Sequence, residues 1–296
     1  MSEWSTLGKN FFIDSHCHLD AEEFLGDRNE MRERARNVDV GLCLIPSVEK
    51  NNFDIVRNMA HSFKDVYALG IHPLYTNSAS TEDLFFLKAQ LTQLKSGPST
   101  QSPSNRNDPR LVAIGEIGLD GAIKTLDWNK QVHFFEEQLK IAADFDLPVI
   151  LHVRQAVDFV LKGLRQYRVK GGIAHAFNGS EQQAEQFIDL GFKLGVGGAL
   201  TYPRALHLRR LVKTLPRESI VLETDSPDIV PVWLYVNSQA RANGQSQGRN
   251  EPSELPRIGK EIAELRGETL EELMHQTTLN FYDVLGLNGQ ILNQYQ

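Results

Sequence analysis

Short apolar runs alternate with amphipathic segments along almost the whole chain. Eight runs rich in aliphatic residues are typical of buried strands and span residues 11–16, 41–45, 66–70, 111–116, 148–152, 172–175, 192–196 and 220–224. Apolar residues recur at helical spacing in residues 30–38, 51–62, 81–95, 128–145, 157–167, 181–190, 206–215, 255–266 and 270–285. Repeated strand–helix units predict a parallel sheet, and eight of them predict an α/β fold, a single (β/α)8 TIM barrel.

Two polar stretches interrupt this alternation. Residues 96–110, SGPSTQSPSNRNDPR, are rich in Ser, Pro and Asn and predict a flexible surface insertion before the fourth strand. Residues 237–250 are also polar, but they follow the eighth strand, and barrel active sites are built from loops at the carboxyl ends of strands. We therefore expect one catalytic domain over residues 1–296, with residues 237–250 closing over the substrate.

Composition narrows the class of protein. With 41% hydrophobic and 23% charged residues, the 296-residue chain is typical of a soluble globular protein. A formal net charge of −7 argues against a broad basic surface for duplex DNA. The sequence has neither an apolar stretch of the roughly 20 residues that span a bilayer nor the pattern of a signal peptide, so we expect a cytoplasmic location and no membrane partner. Cys17 and Cys43 lie in apolar runs and are expected to be reduced and buried.

The first strand ends in a pair of histidines. Side chains alternate faces along an extended chain, so His16 and His18 point to the same side. Two neighbouring imidazoles at the mouth of a strand form half a metal site, although such a pair is also often solvated. The missing ligands must therefore come from other strands.

Further candidate ligands occur at the predicted ends of four other strands. Glu116 is the first acidic residue after an apolar segment and is a candidate ligand. Asp120 is explained equally well as a ligand and as a cap of the following turn. The complete candidate set is His16, His18, Glu116, His152, His175 and Asp225. Mixed imidazole and carboxylate ligands on an open rim suit catalytic zinc, manganese or magnesium.

The stretches of sequence around these residues resemble the TatD family of metal-dependent deoxyribonucleases, which belongs to the amidohydrolase-like barrels. The matching motifs are FIDSHCHLD (12–20), GIHP (70–73), GEIGLD (115–120), LPVILHVRQAVD (147–158), HAFNGS (175–180), GVGGALTYPRA (195–205), LETDSPDIVP (222–231) and RNEP (249–252). They follow the family order, and GVGGALTYPRA is most similar to the YjjV-like branch. The chain departs from the family pattern at Gly121, Ala176 and Asn178, which concerns substrate contacts more than catalysis.

The resemblance implies two divalent metal ions per chain, magnesium, manganese or zinc. One ion is expected on His16, His18, Glu116 and Asp225, and the second on Glu116, His152 and His175, with Glu116 as the bridge. It also implies a 3′-to-5′ exonuclease-like activity on DNA. The acidic composition favours single strands or chain ends as the substrate over a long duplex.

Four further residues have weaker assignments. His72 is predicted either to donate to a phosphate oxygen or to order its own loop. Arg154, two residues after His152, and Arg249, in the last loop, are predicted to bind phosphate through their planar guanidinium groups. Glu223 is predicted either to support the metal ligands or to be a weak ligand at a third metal site.

The predicted reaction is hydrolysis of a phosphodiester by metal-activated water, with Asp225 and Glu116 as the catalytic residues. A metal-dependent hydrolase of another bond, such as a cyclic amide, a lactone or a small phosphoester, remains the alternative, because the same barrel serves several substrates. A protein that merely stores metal would lack a base, and Asp225 argues against it.

Overall fold

The computed structural model describes residues 11–95 and 108–287. Its eight strands are β1 Phe12–Asp14, β2 Val40–Pro46, β3 Val66–Leu69, β4 Leu111–Asp120, β5 Val149–Arg154, β6 Gly172–Ala174, β7 Phe192–Val196 and β8 Ile220–Leu222. The α-helices are α1 Arg28–Asn37, α2 Phe53–Phe63, α3 Thr81–Lys95, α4 Trp128–Asp144, α5 Val157–Gln166, α6 Glu181–Asp189, α7 Leu206–Thr214, α8 Ser238–Ala242, α9 Leu255–Arg266 and α10 Leu270–Leu285. The strands follow one another in the sheet in chain order, from β1 to β8.

Two compact units can be distinguished among the described residues, 11–44 with 193–287, and 45–95 with 108–192. In the first unit β1 pairs in parallel with β2, and β7 pairs in parallel with β8. The end of β8 also meets the end of β1, where Ser15 N donates to Leu222 O at 2.9 Å. Helices α9 and α10 pack on β1, so the strand ends that carry the first histidine pair lie over a buried apolar layer.

In the second unit β3, β4, β5 and β6 pair in parallel in that order. All ten residues of β4 are buried. Two buried glutamines of α4 hold the backbone at the carboxyl ends of these strands. Gln138 binds the N–H and C=O of Ile71 at 2.7 and 3.0 Å, and Gln131 binds those of Asp120 at 2.8 and 3.2 Å. One helix therefore fixes two loops by satisfying their buried polar groups.

The strand boundaries differ from the predicted ones at the candidate ligands. Glu116 and His152 lie inside β4 and β5, which continue beyond them. His16, His175 and Asp225 instead follow strands that end one to three residues earlier. Hydrophobic patterns do not fix these boundaries, because β4 and β5 stay paired through polar residues.

A polar surface insertion was predicted over residues 96–110. Residues 96–107 lie outside the described residues, and the prediction is wrong for Asp108 and Arg110, which are buried. Asp108 is buried and accepts hydrogen bonds from the Tyr67 hydroxyl at 2.9 Å and from the Arg110 N–H at 3.0 Å, and it lies 2.8 Å from His61 Nε2. Arg110 donates to Asp65 O at 3.0 Å. Asp108 and Arg110 are therefore part of the packed fold.

The polar stretch 237–250 contains the short helix α8, which begins where the Asn237 side chain accepts from Ala240 N at 2.9 Å. The prediction of a loop here is therefore wrong for Ser238–Ala242. The prediction that Cys17 and Cys43 are buried is confirmed, since neither has exposed surface. Among the described helices, none is both long and apolar enough to cross a membrane.

Candidate metal centre

The first unit brings three candidate ligands together at the ends of β1 and β8. His16 Nε2 and His18 Nε2 lie 3.2 Å apart, and Asp225 Oδ1 lies 3.5 and 3.7 Å from them. Donors about 2.1 Å from one cation are themselves about 3.0 to 3.5 Å apart in octahedral or tetrahedral geometry. His16 thus lies at this spacing from both His18 and Asp225, and the distance from His18 to Asp225 is 0.2 Å longer than the range.

Backbone hydrogen bonds between the two strand ends set this spacing. Asp225 N donates to His16 O at 2.9 Å, and His18 N donates to Ser226 O at 2.8 Å. Asp225 has a φ of 53°, in the left-handed region that non-glycine residues rarely adopt. The chain thus turns at Asp225, and the turn is held by the same residues that supply the imidazoles.

A fully buried carboxylate lies beneath this group. Asp14 accepts hydrogen bonds from the Thr224 hydroxyl at 2.6 Å, from Thr224 N at 2.9 Å and from His16 N at 3.3 Å. Burial raises the pKa of Asp14 to about 7, against the opposing effect of the Thr224 hydrogen bonds. Asp14 therefore ties the backbone of β1 to the segment that leads to Asp225.

Glu223 is buried in the same unit and packs against a glycine of β7. A Cβ atom on Gly195 would lie 2.0 Å from Glu223 Oε2, so only glycine leaves space for this carboxylate. Glu223 also raises the pKa of Asp14 electrostatically. Its support of the metal ligands stays a prediction.

The second unit gathers three imidazoles around one oxygen of Glu116. His152 Nδ1 and His175 Nε2 each lie 3.1 Å from Glu116 Oε1, and His72 Nε2 lies 3.3 Å from it. Glu116 is 1% exposed. The backbone of Gly118 lies close to that of His152 on the next strand, since a Cβ atom on Gly118 would lie 1.9 Å from His152 O. Gly118 also has a φ of 146°, which favours glycine. Gly118, two residues after Glu116, thus permits the close contact of β4 with β5.

Asp120 acts on His152 as well as on its own turn. Its Oδ1 accepts from Ala122 N at 2.8 Å, as in a turn cap, while its Oδ2 lies 3.1 Å from His152 Nε2. Burial opposes ionisation of Asp120, but the hydrogen bonds to His152 and Ala122 N and the charges of His152 and Arg154 together outweigh it, and the pKa of Asp120 falls to about 2. Burial likewise lowers the pKa of His152, but its bonds to Asp120 and Glu116 raise it overall. A carboxylate that orients a ligand imidazole is a common second partner in metal sites, and the sequence analysis missed this role.

The structure shows one of the two roles predicted for His72, the ordering of its own loop. Its Nδ1 accepts a hydrogen bond from Leu74 N at 3.1 Å, which orders the loop after β3. In the neutral ring the proton then resides on Nε2, which donates towards Glu116 Oε1. His72 thus steadies the central carboxylate, and its contact with a phosphate stays a prediction.

The two arginines predicted to bind phosphate differ sharply in their surroundings. The Arg154 side chain is 60% exposed, with one guanidinium nitrogen 3.6 Å from Asp120 Oδ2. Arg249 instead forms two hydrogen bonds to Asp27, at 2.6 and 2.7 Å, a third to Glu251 at 3.2 Å, and lies 4.8 Å from the ring centre of Phe24. Arg249 therefore has a structural role that the sequence analysis did not predict, and its contact with substrate stays a prediction.

The donor chemistry of both groups fits divalent cations. Each group combines imidazole nitrogens with a carboxylate oxygen. Zinc and manganese accept this mixture, and magnesium binds through the carboxylates. In the second unit the ligand atoms of His72, Glu116 and His152 lie within 4.8 Å of one another. The residues present therefore fit a metal-dependent enzyme.

Comparison with known proteins decides the family. The family model described as TatD related DNase matches residues 13–286. The chain belongs to this TatD-related family. It is 36% identical over 278 residues to the uncharacterized metal-dependent hydrolase YjjV of Escherichia coli K12, a match that covers 93% of this chain and 98% of that protein. It is 30% identical over 280 residues to the 3′-5′ ssDNA/RNA exonuclease TatD of Erwinia amylovora, covering 93% and 100% of the two chains.

The crystal structure of Escherichia coli YjjV, described as a TatD homologue, superposes with a TM-score of 0.80 at 35% identity and covers 94% of this chain and 98% of that one. The predicted fold class, a (β/α)8 barrel, is confirmed. The protein is a metal-dependent hydrolase of the TatD-related family.

Proposed function

We propose that this hydrolase cleaves the phosphodiester bonds of single-stranded DNA, stepwise from the 3′ end. The observation that carries the proposal is the presence of imidazole and carboxylate donors at cation-sharing distances on the family's ligand positions. The exonuclease name of the Erwinia relative supports the choice of bond and polarity. The net charge of −7 favours short ends over a long duplex footprint.

Six residues would hold two divalent cations. His16, His18 and Asp225 would hold the first together with Glu116, and His152 and His175 would hold the second, also with Glu116. The position of Glu116 Oε1, 3.1 Å from both His152 Nδ1 and His175 Nε2, supports its role as a ligand of the second cation. Its role as the shared ligand follows the family pattern. When bound, such cations supply acidified water and offset charge on the phosphate oxygens.

The protein's own groups would do the remaining work. Asp225 is 13% exposed and carries the carboxylate of the first group, so it is the base that would accept the proton of the attacking water. Arg154 is free to turn towards solvent and would bind a non-bridging phosphate oxygen. Asp120 would keep the His152 ring in one orientation during turnover.

The test is cleavage of an end-labelled single-stranded oligonucleotide by protein loaded with magnesium or manganese. We expect stepwise shortening that stops with excess chelator and in Asp225→Asn, and the position of the label that survives reports the polarity. Asp54→Asn, a change at an exposed carboxylate on α2, is the matched control. If the wild type binds metal but leaves the strand intact, the phosphodiester proposal is wrong, and small phosphoesters, lactones and cyclic amides are the substrates to assay next.

A further inference from the structure

The first unit contains a pocket of about 480 Å³ that the metal chemistry does not use. It lies between the loop after β7 and the loop after β8. Its walls are mainly apolar and include Tyr202, Arg204, Ile229, Val230, Tyr235 and Arg241, which we call the tyrosine pocket. The first two residues belong to the GVGGALTYPRA motif, to which the proposed reaction assigns no role.

Two tyrosine rings form adjoining walls of the tyrosine pocket. The ring centres of Tyr202 and Tyr235 are 5.8 Å apart and the planes meet at 78°. The Tyr202 hydroxyl donates to Val230 O at 2.9 Å, so this ring is fixed in place. Tyr235 is 40% exposed, so part of this side chain is accessible to a ligand. A planar ring can therefore stack on one tyrosine and contact the edge of the other.

Positive charge adjoins these rings. The Arg204 guanidinium lies 5.4 Å from the ring centre of Tyr202, and Arg241 extends from α8 to the same pocket. Both arginines are exposed, in a chain whose net charge is −7. An aromatic wall with local positive charge suits a ligand that is both planar and anionic.

The walls are built into the fold. Thr201 Oγ1 accepts a hydrogen bond from Val232 N at 2.8 Å and donates to Gly198 O at 2.7 Å, which joins the two loops. A Cβ on Gly198 would lie 2.2 Å from Ile229 O, so glycine permits the close contact of the loops. Ile229 is four residues after Asp225 in the chain, so the loop that starts at the proposed base also lines the pocket.

We propose that the tyrosine pocket binds one nucleobase of a single-stranded nucleic acid, with the adjacent phosphate held by Arg204 and Arg241. The inference rests on the proposed function, because it gives the strand a second point of attachment besides the reacting phosphate. Stacking on aromatic rings tolerates any base, as an exonuclease requires.

The first experiment measures binding to the metal-loaded protein without cleavage. A short phosphorothioate strand containing 2-aminopurine reports stacking by quenching of its fluorescence. We expect the double variant Tyr202→Leu/Tyr235→Leu to weaken binding by about 5- to 150-fold, the range of base–aromatic stacking. Tyr235→Phe should retain wild-type affinity, and so should Phe85→Leu, a control at a 69% exposed aromatic residue on α3.

An abasic strand with the same backbone separates stacking from general damage. As a competitor it should bind the wild type more weakly than the base-bearing strand does, and the double variant should bind it no worse than the wild type. Deoxyadenosine monophosphate distinguishes a strand from a free nucleotide, and it should compete weakly. If the two tyrosines affect both strands equally or neither strand, or if the mononucleotide binds as tightly as the strand, the proposal is overturned.

The arginines are tested by salt dependence. Arg204→Gln should reduce the slope of log affinity against log salt by about 0.7, the value for one phosphate contact of a single strand. Arg210→Gln, an exposed arginine on α7, should leave the slope unchanged. An unchanged slope in Arg204→Gln would refute the phosphate contact.

The outcomes separate this inference from the proposed reaction. Tyrosine-dependent binding by a protein that leaves an unmodified strand intact supports the pocket and refutes the nuclease. Cleavage with the same KM in the wild type and the double variant supports the nuclease and refutes the pocket. A wild type that neither binds nor cleaves the strand overturns both.

Discussion

The candidate ligands and the tyrosine pocket hold their side chains in different ways. Glu116 and His16 are at most 1% exposed, and they lie on or beside strands whose backbone is hydrogen-bonded on both sides. Tyr235 is 40% exposed and lies on a loop. Groups that must keep ångström-level spacing are thus supported by strands and buried partners, while a surface that must accept different bases is carried by loops. Substitutions should therefore affect turnover in one region and substrate binding in the other.

The largest effect is expected for Glu116→Gln. The neutral amide is a poorer ligand than the carboxylate, so kcat should fall by at least about 1,000-fold and bound metal should decrease. Turnover and metal content are measured on the same dialysed samples. Glu185→Gln, an exposed residue on α6, is the control. Near-wild-type turnover with full metal content would contradict the role of Glu116.

Asp120→Asn tests the support of His152. The asparagine Oδ1 can still accept from Ala122 N, so the turn is preserved, while the charged partner of His152 is lost. We expect metal affinity or kcat to fall by about 10- to 100-fold. Calorimetric metal titration and turnover check this, beside Asp144→Asn on the exposed face of α4. Unchanged values in both assays would leave Asp120 with only its capping role.

Arg154→Gln should act on substrate binding alone. Its guanidinium is 60% exposed, so its loss should leave the melting temperature unchanged. Loss of one charge-assisted hydrogen bond to phosphate should raise KM for an oligonucleotide by about tenfold. Steady-state kinetics measure this against Arg168→Gln, an exposed arginine in the same unit. An unchanged KM would remove Arg154 from the substrate contacts.

Arg249→Gln should show the opposite pattern. It removes the ion pair with Asp27, and because these groups are partly exposed the free energy of unfolding should fall by only about 1 kcal/mol. Arg249 and Arg34 lower the pKa of Asp27 in the folded protein. Their contribution to the free energy of unfolding is therefore complete above the pKa of an unfolded aspartate, and it is lost as the pH falls through the lower folded pKa. Urea unfolding at neutral and acidic pH should show the variant approaching the wild type in acid, while kcat is unchanged. A large loss of kcat with full stability would assign Arg249 to the site instead.

The sequence was sufficient to predict most of the helices and strands and to single out candidate ligands, because both follow periodic or local rules. Buried strands appear as apolar runs and amphipathic helices as recurring apolar positions, and α3, α9 and α10 have the predicted bounds. Candidate ligands could be recognised because charged and imidazole side chains are rarely buried, so their position at the end of an apolar run indicates a functional role.

Contacts between distant segments could not be predicted from local pattern. Arg249 pairs with Asp27, more than two hundred residues away in the chain, so its structural role has no local signal. The sequence left Asp120 equally well explained as a ligand and as a turn cap. Its contact with His152 depends on the register of β4 with β5, which has no local signal. The tyrosine pocket depends on two loops that meet through Thr201, and neither loop shows this in its composition.

The most direct test of the account is a manganese titration of metal-depleted protein, with bound equivalents and the rate of single-strand cleavage measured in the same samples. The account predicts saturation at two ions per chain, a cleavage rate that reaches its maximum only as the second equivalent binds, and loss of both properties in Glu116→Gln. Full cleavage activity at one bound ion, or without bound metal, would contradict it.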